Sequence, residues 1–203
     1  MKKLVIASNN SGKIKEIKRI LSDIDIEVLS LKDMGLNIDV EEDGLTFEEN
    51  AKKKSTEIYK ELINKGESDF IIMSDDSGLE VEYLNGDPGV FSARYAGEHG
   101  NDKKNNEKLL LNLEGVDYKN RKARFVCQLA IINDNNEYRS VKGIVEGYIL
   151  DKAKGDGGFG YDPLFFYEPL NRSFAELTME EKNKISHRGN ALQNARKIIE
   201  ELL

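Results

Sequence analysis

The stretch that most constrains the fold is an apolar run that ends directly in two carboxylates. Residues 70–73 (FIIM) are apolar and rich in β-formers, which predicts a buried strand. Asp75 and Asp76 follow at its end, where charge has to be solvated, paired or bound to a metal. Successive side chains of a strand point to opposite faces, so the two carboxylates can meet one ligand only if the chain bends. Ser77 and Gly78 offer a place for that bend, or the segment is simply a turn between two strands.

Composition and charge limit the class of protein. The chain has 203 residues, 39% of them hydrophobic, which is enough to bury a core as one or two lobes. We see no low-complexity linker and no internal repeat, so we expect a single domain over residues 1–203. The formal net charge of −7 argues against binding to a nucleic acid polymer.

The cellular compartment follows from the apolar segments and the cysteine content. Residues 4–7 follow two lysines but are too short for a signal peptide, and we find no segment long enough to span a membrane. The single cysteine, Cys127, lies in an apolar run that resembles a strand and has no partner for an intrachain disulfide. We therefore expect a soluble cytoplasmic protein that does not enter a membrane.

A small polar loop follows the first predicted strand, residues 4–7. The loop consists of Ser8, Asn9, Asn10, Ser11, Gly12 and Lys13. A helix to about Leu21 comes next, so free backbone N–H groups and a positive dipole end could cradle phosphate, with Lys13 adding a charge. The pattern is not a P-loop, because it lacks the first glycine and Ile14 stands where Ser or Thr would follow the lysine. Ordinary helix capping is the alternative.

A second helix is predicted from Thr46 to about Lys65, after a strand near residues 27–31 and an acidic loop. Thr46 and Glu49 have the spacing of a capping box, so Glu49 could simply accept a hydrogen bond from the Thr46 backbone. Alternatively, Glu49 points into a cleft as a metal ligand. We interpret the three lysines at 52–54 as a solvated face.

The middle of the chain predicts a helix and a hairpin before a glycine-rich segment. Asn101 or Asp102 can cap a helix that ends near Leu113, and residues 124–132 and 138–150 alternate like a long hairpin. Residues 155–163 (GDGGFGYDP) then place Phe159 and Tyr161 among glycines, which permits close backbone approach to a flat ligand.

Two helices are predicted at the C-terminal end. Thr178 opens a capping box and a short helix that carries Lys182. Ser186 can cap the last helix, whose first turn would contain His187 and Arg188. Cations oppose the helix dipole there, which hints at an anionic or carbonyl-bearing ligand.

Six motifs in chain order resemble those of the inosine triphosphate pyrophosphatase family, also called non-canonical purine NTP pyrophosphatases. They are Ser8-Asn9-Asn10-x-x-Lys13-x-x-Glu16, Thr46-Phe47-x-Glu49-Asn50-Ala51, Asp75-Asp76-Ser77-Gly78-Leu79, Pro88-Gly89-Val90-Phe91-Ser92-Ala93-Arg94-Tyr95, Gly157-Gly158-Phe159-Gly160-Tyr161-Asp162-Pro163 and Ser186-His187-Arg188. The resemblance covers nearly the whole chain. One departure is Asn9, because the first motif of this family more often reads Thr-Gly-Asn.

The resemblance implies an α/β fold with an elongated mixed β-sheet flanked by helices, in two lobes with the active cleft between them. It also implies a homodimer. The implied reaction is hydrolysis of ITP, dITP or XTP between the α- and β-phosphates, which yields the nucleoside monophosphate and pyrophosphate and removes deaminated purines from the nucleotide pool.

The resemblance and the chemistry together assign the site residues. Mg²⁺ is the expected cofactor, with Glu49 and Asp76 as its ligands, because it prefers carboxylate and water oxygens. Asp76 is the expected base for the attacking water, while Asp75 is either a further Mg²⁺ contact or a structural acceptor. Phe159 would stack on the purine, and His187 and Arg188 would meet its 6-oxo edge. The substrate-binding residues that we expect from the resemblance are Ser8, Asn9, Asn10, Ser11, Gly12, Lys13, Ser77, Phe159, Gly160, Tyr161, Asp162, Lys182, His187 and Arg188.

Two alternatives remain at this point. One is a Maf-like nucleotide pyrophosphatase with a different base preference, although its own motifs are not those found here. The other is a non-catalytic nucleotide sensor, which would keep the pocket but would not need both Glu49 and Asp76.

Overall fold

A computed structural model describes residues 2–203, and its central feature is a mixed sheet of seven strands. The strands are β1 (Lys3–Ala7), β2 (Glu27–Ser30), β3 (Phe70–Val81), β4 (Lys122–Asn133), β5 (Tyr138–Ile149), β6 (Phe165–Tyr167) and β7 (Arg172–Ser173). Their order is β2-β1-β3-β4-β5-β6-β7. β1 pairs in parallel with β2 and β3, whereas β6 pairs antiparallel with β5 and β7. The predicted mixed α/β sheet is confirmed.

Five α-helices accompany the sheet within the described residues. They are α1 (Ser11–Ile20), α2 (Phe47–Asn64), α3 (Asp102–Asn112), α4 (Met179–Ile185) and α5 (His187–Leu202). All five were predicted, and their bounds differ from the prediction by a few residues at most. None of the helices formed by residues 2–203 has the length and apolar character needed to cross a membrane.

Side-chain caps explain where several helices begin. Capping boxes are formed at the start of α2 by Thr46 and Glu49, and at the start of α4 by Thr178 and Glu181. At the start of α3, Asn101 accepts a hydrogen bond from the backbone of Lys104. Each cap satisfies backbone N–H groups that have no partner inside the helix, so these short polar patterns determine helix starts.

The chain divides into two compact units. The first unit comprises Met1–Asp76, Cys127–Gly143 and Arg188–Leu203, and the second comprises Ser77–Val126 and Ile144–His187. β3, β4 and β5 each contribute residues to both units.

In the first unit, the sheet is buried on both faces. Ile71 and Met73 of β3 pack in an apolar cluster with residues of α1 and α5, while Phe70 and Ile72 pack in another cluster with residues of α2. Successive residues of β1 likewise pack alternately in the first and the second of these clusters. Strands covered by helices on both faces are apolar at every position, which is why the sequence shows continuous apolar runs there.

The core of the second unit is aromatic. Phe125, Phe165 and Phe174 pack against one another. The ring centroids of Phe125 and Phe165 are 4.5 Å apart, and those of Phe165 and Phe174 are 4.8 Å apart. Leu109 of α3 and Tyr161 belong to the same cluster. α3 is thereby packed onto the core of this unit through Leu109.

Candidate active site

The acidic pair lies inside one continuous strand. β3 extends from Phe70 to Val81 without interruption, so the expected bend at Ser77 and Gly78 and the alternative of a turn are both wrong. Asp75 and Asp76 therefore point to opposite faces of the sheet, the former toward α1 and α5 and the latter toward α2. Both are almost completely buried. Charge at these positions has to be balanced by partners inside the protein.

Asp75 lies at the centre of a buried network on the α1–α5 side. The Lys13 ammonium is 2.5 Å from its Oδ1, Arg188 Nε donates to its Oδ2 at 2.9 Å, and the Cys127 thiol donates to Oδ2 at 3.0 Å. Burial would raise the pKa of Asp75, but the charges of Arg188 and Lys13 outweigh this effect and hold it well below its usual range. Asp75 is thus an ionised acceptor, which supports the structural role among its two expected roles.

The same network is electrically balanced. Arg188 Nη1 donates to Glu16 Oε2, so the buried Arg188 and the partly buried Lys13 face two buried carboxylates, Glu16 and Asp75. Burial and the charge of Arg188 lower the pKa of Lys13, but the Asp75 and Asp76 carboxylates together outweigh them and raise it above its usual value. Both cations keep their charge. Glu16 was not among the predicted site residues. It is nevertheless the last residue of the first motif and lies on α1, the helix that carries Lys13.

The polar loop before α1 is organised by helix capping. Asn10 is the N-cap residue and accepts a hydrogen bond from the Lys13 backbone at 3.0 Å, while its own N–H donates to Ser8 Oγ at 3.2 Å. Asn9 donates to the backbone oxygen of Ile38 at 3.0 Å. Capping and phosphate binding are compatible here, because the first-turn amides of Ser11 and Gly12 have no partner inside the helix. The loop places them in the same turn as Lys13.

Asp76 is held from the α2 side of the sheet. Asn50 Nδ2 donates to its Oδ2 at 3.0 Å, and the Lys54 ammonium lies 3.9 Å from its Oδ1. Burial raises the pKa of Asp76, and the nearby charges of Lys54 and Lys13 oppose this only in part. Asp76 therefore binds a proton more readily than an ordinary aspartate, in contrast to its neighbour Asp75.

Lys54 also contacts the acidic pair, although it was not among the predicted site residues. Its ammonium donates to Glu42 Oε1 at 2.7 Å and to the backbone oxygen of Asp75 at 2.6 Å, and the side chain is buried. The interpretation of residues 52–54 as a solvated face is therefore wrong for Lys54. Helical periodicity could have revealed it, because Lys54 shares the buried face of α2 with Ala51 and Ile58.

Glu49 caps α2. Its Oε2 accepts hydrogen bonds from the backbones of Leu45 at 2.7 Å and Thr46 at 3.1 Å, so the predicted capping box is confirmed. Asn50 next to it accepts from the Gly44 backbone at 2.8 Å while donating to Asp76. A Cβ on Gly44 would lie 2.7 Å from Asn50 Oδ1, which explains the glycine.

In the second unit, the glycine-rich segment forms a tight loop, here called the aromatic loop (residues 157–162). Asp162 Oδ2 accepts hydrogen bonds from the Phe159 backbone at 2.9 Å and from the Lys182 ammonium at 2.7 Å. A Cβ on Gly158 would lie 2.0 Å from this oxygen, and its φ of +74° also favours glycine. Lys182 lies 4.6 Å from the centre of the Phe159 ring. The structure thus brings three of the predicted substrate-binding residues together.

The remaining predicted residues of the second unit differ in their surroundings. The Tyr161 hydroxyl donates to the backbone oxygen of Ser92 at 2.8 Å, so this side chain is turned into the core. The His187 ring stacks on Phe125, with centroids 4.8 Å apart. Ser77 is the first residue of the second unit on β3. The roles of these three in substrate binding stay predictions, as do those of the other predicted substrate-binding residues.

Comparison with known proteins identifies the family. The profile of the Ham1 family matches residues 4–198, nearly the whole chain. The chain belongs to the Ham1 family. It is 58% identical to a dITP/XTP pyrophosphatase of Clostridium perfringens, with 95% of each chain covered, and 46% identical to a dITP/XTP pyrophosphatase of Bacillus subtilis, with 98% of each covered. A solved structure of the Staphylococcus aureus Ham1 protein has a TM-score of 0.85 at 44% identity, covering 98% of this chain and 99% of that one. The resemblance read from the six motifs is confirmed.

The carboxylates of this Ham1 family member fit one way of binding magnesium. Across residues 2–203, no group of three or more His, Cys, Asp and Glu side chains could hold a metal on its own. Mg²⁺ that accompanies a nucleotide uses only one or two carboxylates and takes its other ligands from phosphates and water. Asp76 offers one such carboxylate, oriented by Asn50 Nδ2, whereas Glu49 Oε2 is engaged in capping α2. The residues fit a metal that arrives with a triphosphate.

Proposed function

We propose that this protein hydrolyses ITP, dITP and XTP to the nucleoside monophosphate and pyrophosphate, with Mg²⁺ as cofactor. The reaction class follows from family membership, because relatives that share 46% and 58% of their residues with it are dITP/XTP pyrophosphatases. The chain is a nucleoside triphosphate pyrophosphatase, and the sequence prediction of that class is confirmed. The specific substrates, the metal and the roles of individual residues are the proposal.

The observation that carries the proposal is the buried Asp76 carboxylate, oriented by Asn50 and close to Lys54. In-line attack on the α-phosphorus needs an oriented water and a group that takes its proton. Asp76 takes that proton. Its raised pKa supports this role, since a general base works best when its pKa approaches the working pH. Asp75 has the opposite shift and serves instead to hold Lys13.

The phosphate chain is bound at the start of α1. Lys13 and the first-turn amides of Ser11 and Gly12 donate to phosphate oxygens, and Ser8, Asn9 and Asn10 hold the loop in shape. These donors stabilise the negative charge that develops on the leaving pyrophosphate. Mg²⁺, held by Glu49 and Asp76, would supply further neutralisation of the phosphate charge.

The purine is recognised by the charged and aromatic residues predicted from the motifs. A 6-oxo group accepts hydrogen bonds where the 6-amino group of adenine donates them, so cationic donors favour hypoxanthine and xanthine. We assign stacking to Phe159 and polar contacts to Lys182, His187 and Arg188, with Ser77 and residues 160–162 completing the set. Homodimer formation and a cytoplasmic location are also part of the proposal.

Pyrophosphate release from a panel of nucleoside triphosphates tests this function. Purified protein with Mg²⁺ should release pyrophosphate from ITP, dITP and XTP, and much less from ATP and GTP. A Maf-like enzyme would prefer other bases, and a sensor would bind nucleotide without releasing pyrophosphate. Release of orthophosphate instead of pyrophosphate would contradict cleavage between the α- and β-phosphates.

A further inference from the structure

The aromatic loop is held from outside by two residues on one face of α3. Asp102 Oδ2 accepts a hydrogen bond from the Gly160 N–H at 2.7 Å, and Asn106 Nδ2 donates to the Gly160 carbonyl oxygen at 2.9 Å. Positions i and i+4 of a helix are neighbours on its surface, so the two side chains can form hydrogen bonds with the same residue. Neither was among the predicted site residues, and their contacts lie within the second unit.

The helix that carries Asp102 and Asn106, α3, is itself held by contacts with the rest of the second unit. Leu109 is fully buried in the aromatic core. Asn105 Oδ1 accepts from the Ala96 backbone at 2.8 Å and its Nδ2 donates to the Ala93 carbonyl oxygen at 3.2 Å. Asn112 donates to the Tyr95 hydroxyl at 2.7 Å. Because α3 cannot shift without breaking these contacts, it is a rigid support for whatever Asp102 and Asn106 hold.

Gly160 is the part of the loop that needs such support. Its φ is +63°, and a Cβ at this position would have no atom within 4 Å, so side-chain packing does not fix it. On one side of it, Asp162 accepts the Phe159 N–H. On the other, Tyr161 is tied to Ser92. The hydrogen bonds to Gly160 therefore hold the peptide between these two anchors, directly after Phe159.

We propose that Asp102 and Asn106 are positioning residues for purine recognition, which act by clamping Gly160 so that Phe159 is held ready to stack on the base. This proposal rests on the proposed function, since it assigns the aromatic loop to the purine. A preorganised loop binds its ligand without losing conformational freedom at that moment, so the clamp affects the affinity for the purine more than the chemical step. The ligand class is a purine nucleoside triphosphate.

The first test measures the clamp without reference to catalysis. Hydrogen exchange of the Gly160 amide, followed by NMR in the protein without nucleotide, should accelerate roughly tenfold in Asp102→Ala, as expected for loss of a charge-assisted hydrogen bond. Asp102→Asn keeps an acceptor oxygen and should restore most of the protection. Glu107→Gln is the matched control, because Glu107 lies on the same helix in an exposed pair with Lys103. Unchanged exchange in Asp102→Ala would overturn the clamp.

The second test measures its consequence for the substrate. In Asn106→Ala and Asp102→Ala, KM for ITP should rise about tenfold while kcat stays within about twofold, and Glu107→Gln should match the wild type. An effect confined to kcat, or a loss of thermal stability without a change in KM, would overturn the positioning role. If the wild type releases no pyrophosphate from any purine triphosphate, the proposed function fails and the assignment of the loop to a purine fails with it, while the exchange experiment still decides whether the clamp exists.

Discussion

Asp75 and Asp76 are adjacent on β3, yet the protein gives them opposite electrostatic surroundings. Asp75 faces Lys13 and Arg188, which hold its pKa well below the usual range, whereas burial raises the pKa of Asp76 and Lys54 opposes this only in part. Alternation along the strand produces this division, because neighbouring side chains point toward different helices. The surroundings thereby favour the ionised form of Asp75 and make protonation of Asp76 easier than that of an ordinary aspartate.

Substitution of Asp76 separates catalysis from binding. Asp76→Asn should keep the fold and nucleotide binding but lose about 10²–10⁴-fold in turnover, because an amide cannot accept the proton of the attacking water. Pyrophosphate release and calorimetric ITP binding are the measurements. Asp25→Asn, at an exposed position of the first unit, is the matched control. Turnover close to wild type would move the base role to another group.

Substitution of Asp75 should act on stability. Asp75→Asn leaves the buried Arg188 and the partly buried Lys13 without their shared counter-charge, and breaking a buried ion pair costs about 3–5 kcal/mol. Chemical denaturation should therefore show a much larger loss of unfolding free energy than in Asp76→Asn. Equal stability of the two variants would contradict the different roles assigned to these neighbours.

The low pKa of Asp75 predicts the direction of acid unfolding. Because the folded-state pKa lies below the unfolded value of about 3.9, the contribution of Asp75 is fully present above that value and is lost as the pH falls through the folded-state pKa. The melting temperature of the metal-free protein should thus fall below about pH 4, and Asp75→Asn should show a shallower decline from a lower starting point. Parallel curves for the two proteins would refute the assignment.

Glu49 is expected to combine two roles that one substitution can separate. Glu49→Gln keeps an oxygen that can accept the Thr46 backbone hydrogen bond, so the capping box and thermal stability should survive. The neutral amide is a poorer ligand for Mg²⁺, so the Mg²⁺ concentration needed for half-maximal activity should rise sharply. An unchanged Mg²⁺ titration would reduce Glu49 to a helix cap.

Arg188 offers a test of base recognition, complicated by its buried contacts with Asp75 and Glu16. Arg188→Ala should lower stability, because both carboxylates lose a partner, and should reduce kcat/KM for ITP far more than the already low value for ATP. Arg188→Lys keeps the positive charge but lacks the planar guanidinium group and its several donors. Relative to Arg188→Ala, it should therefore recover more of the stability than of the selectivity for ITP. Equal fractional losses on ITP and ATP would show that Arg188 does not read the base.

The amino-acid sequence by itself determined the elements and the family. Apolar runs predicted β1 and β3, capping boxes at Thr46 and Thr178 predicted the starts of α2 and α4, and the six motifs indicated the pyrophosphatase family. These features are local, since each depends on residues within a turn or two of one another. That is why they can be read without the fold.

Only the tertiary structure decided what the charged groups do. Lys54 looked like one of three surface lysines, and although helical periodicity places it on the apolar face of α2, only the packing of that helix brings it to Glu42 and Asp76. Arg188 looked like a residue at the start of a helix, but it shares Asp75 with Lys13, from the opposite end of the chain. Charges interact over a few ångströms in space, and burial sets their strength. The sequence shows neither the distance nor the burial, so the division of labour between Asp75 and Asp76 appears only when the chain is folded.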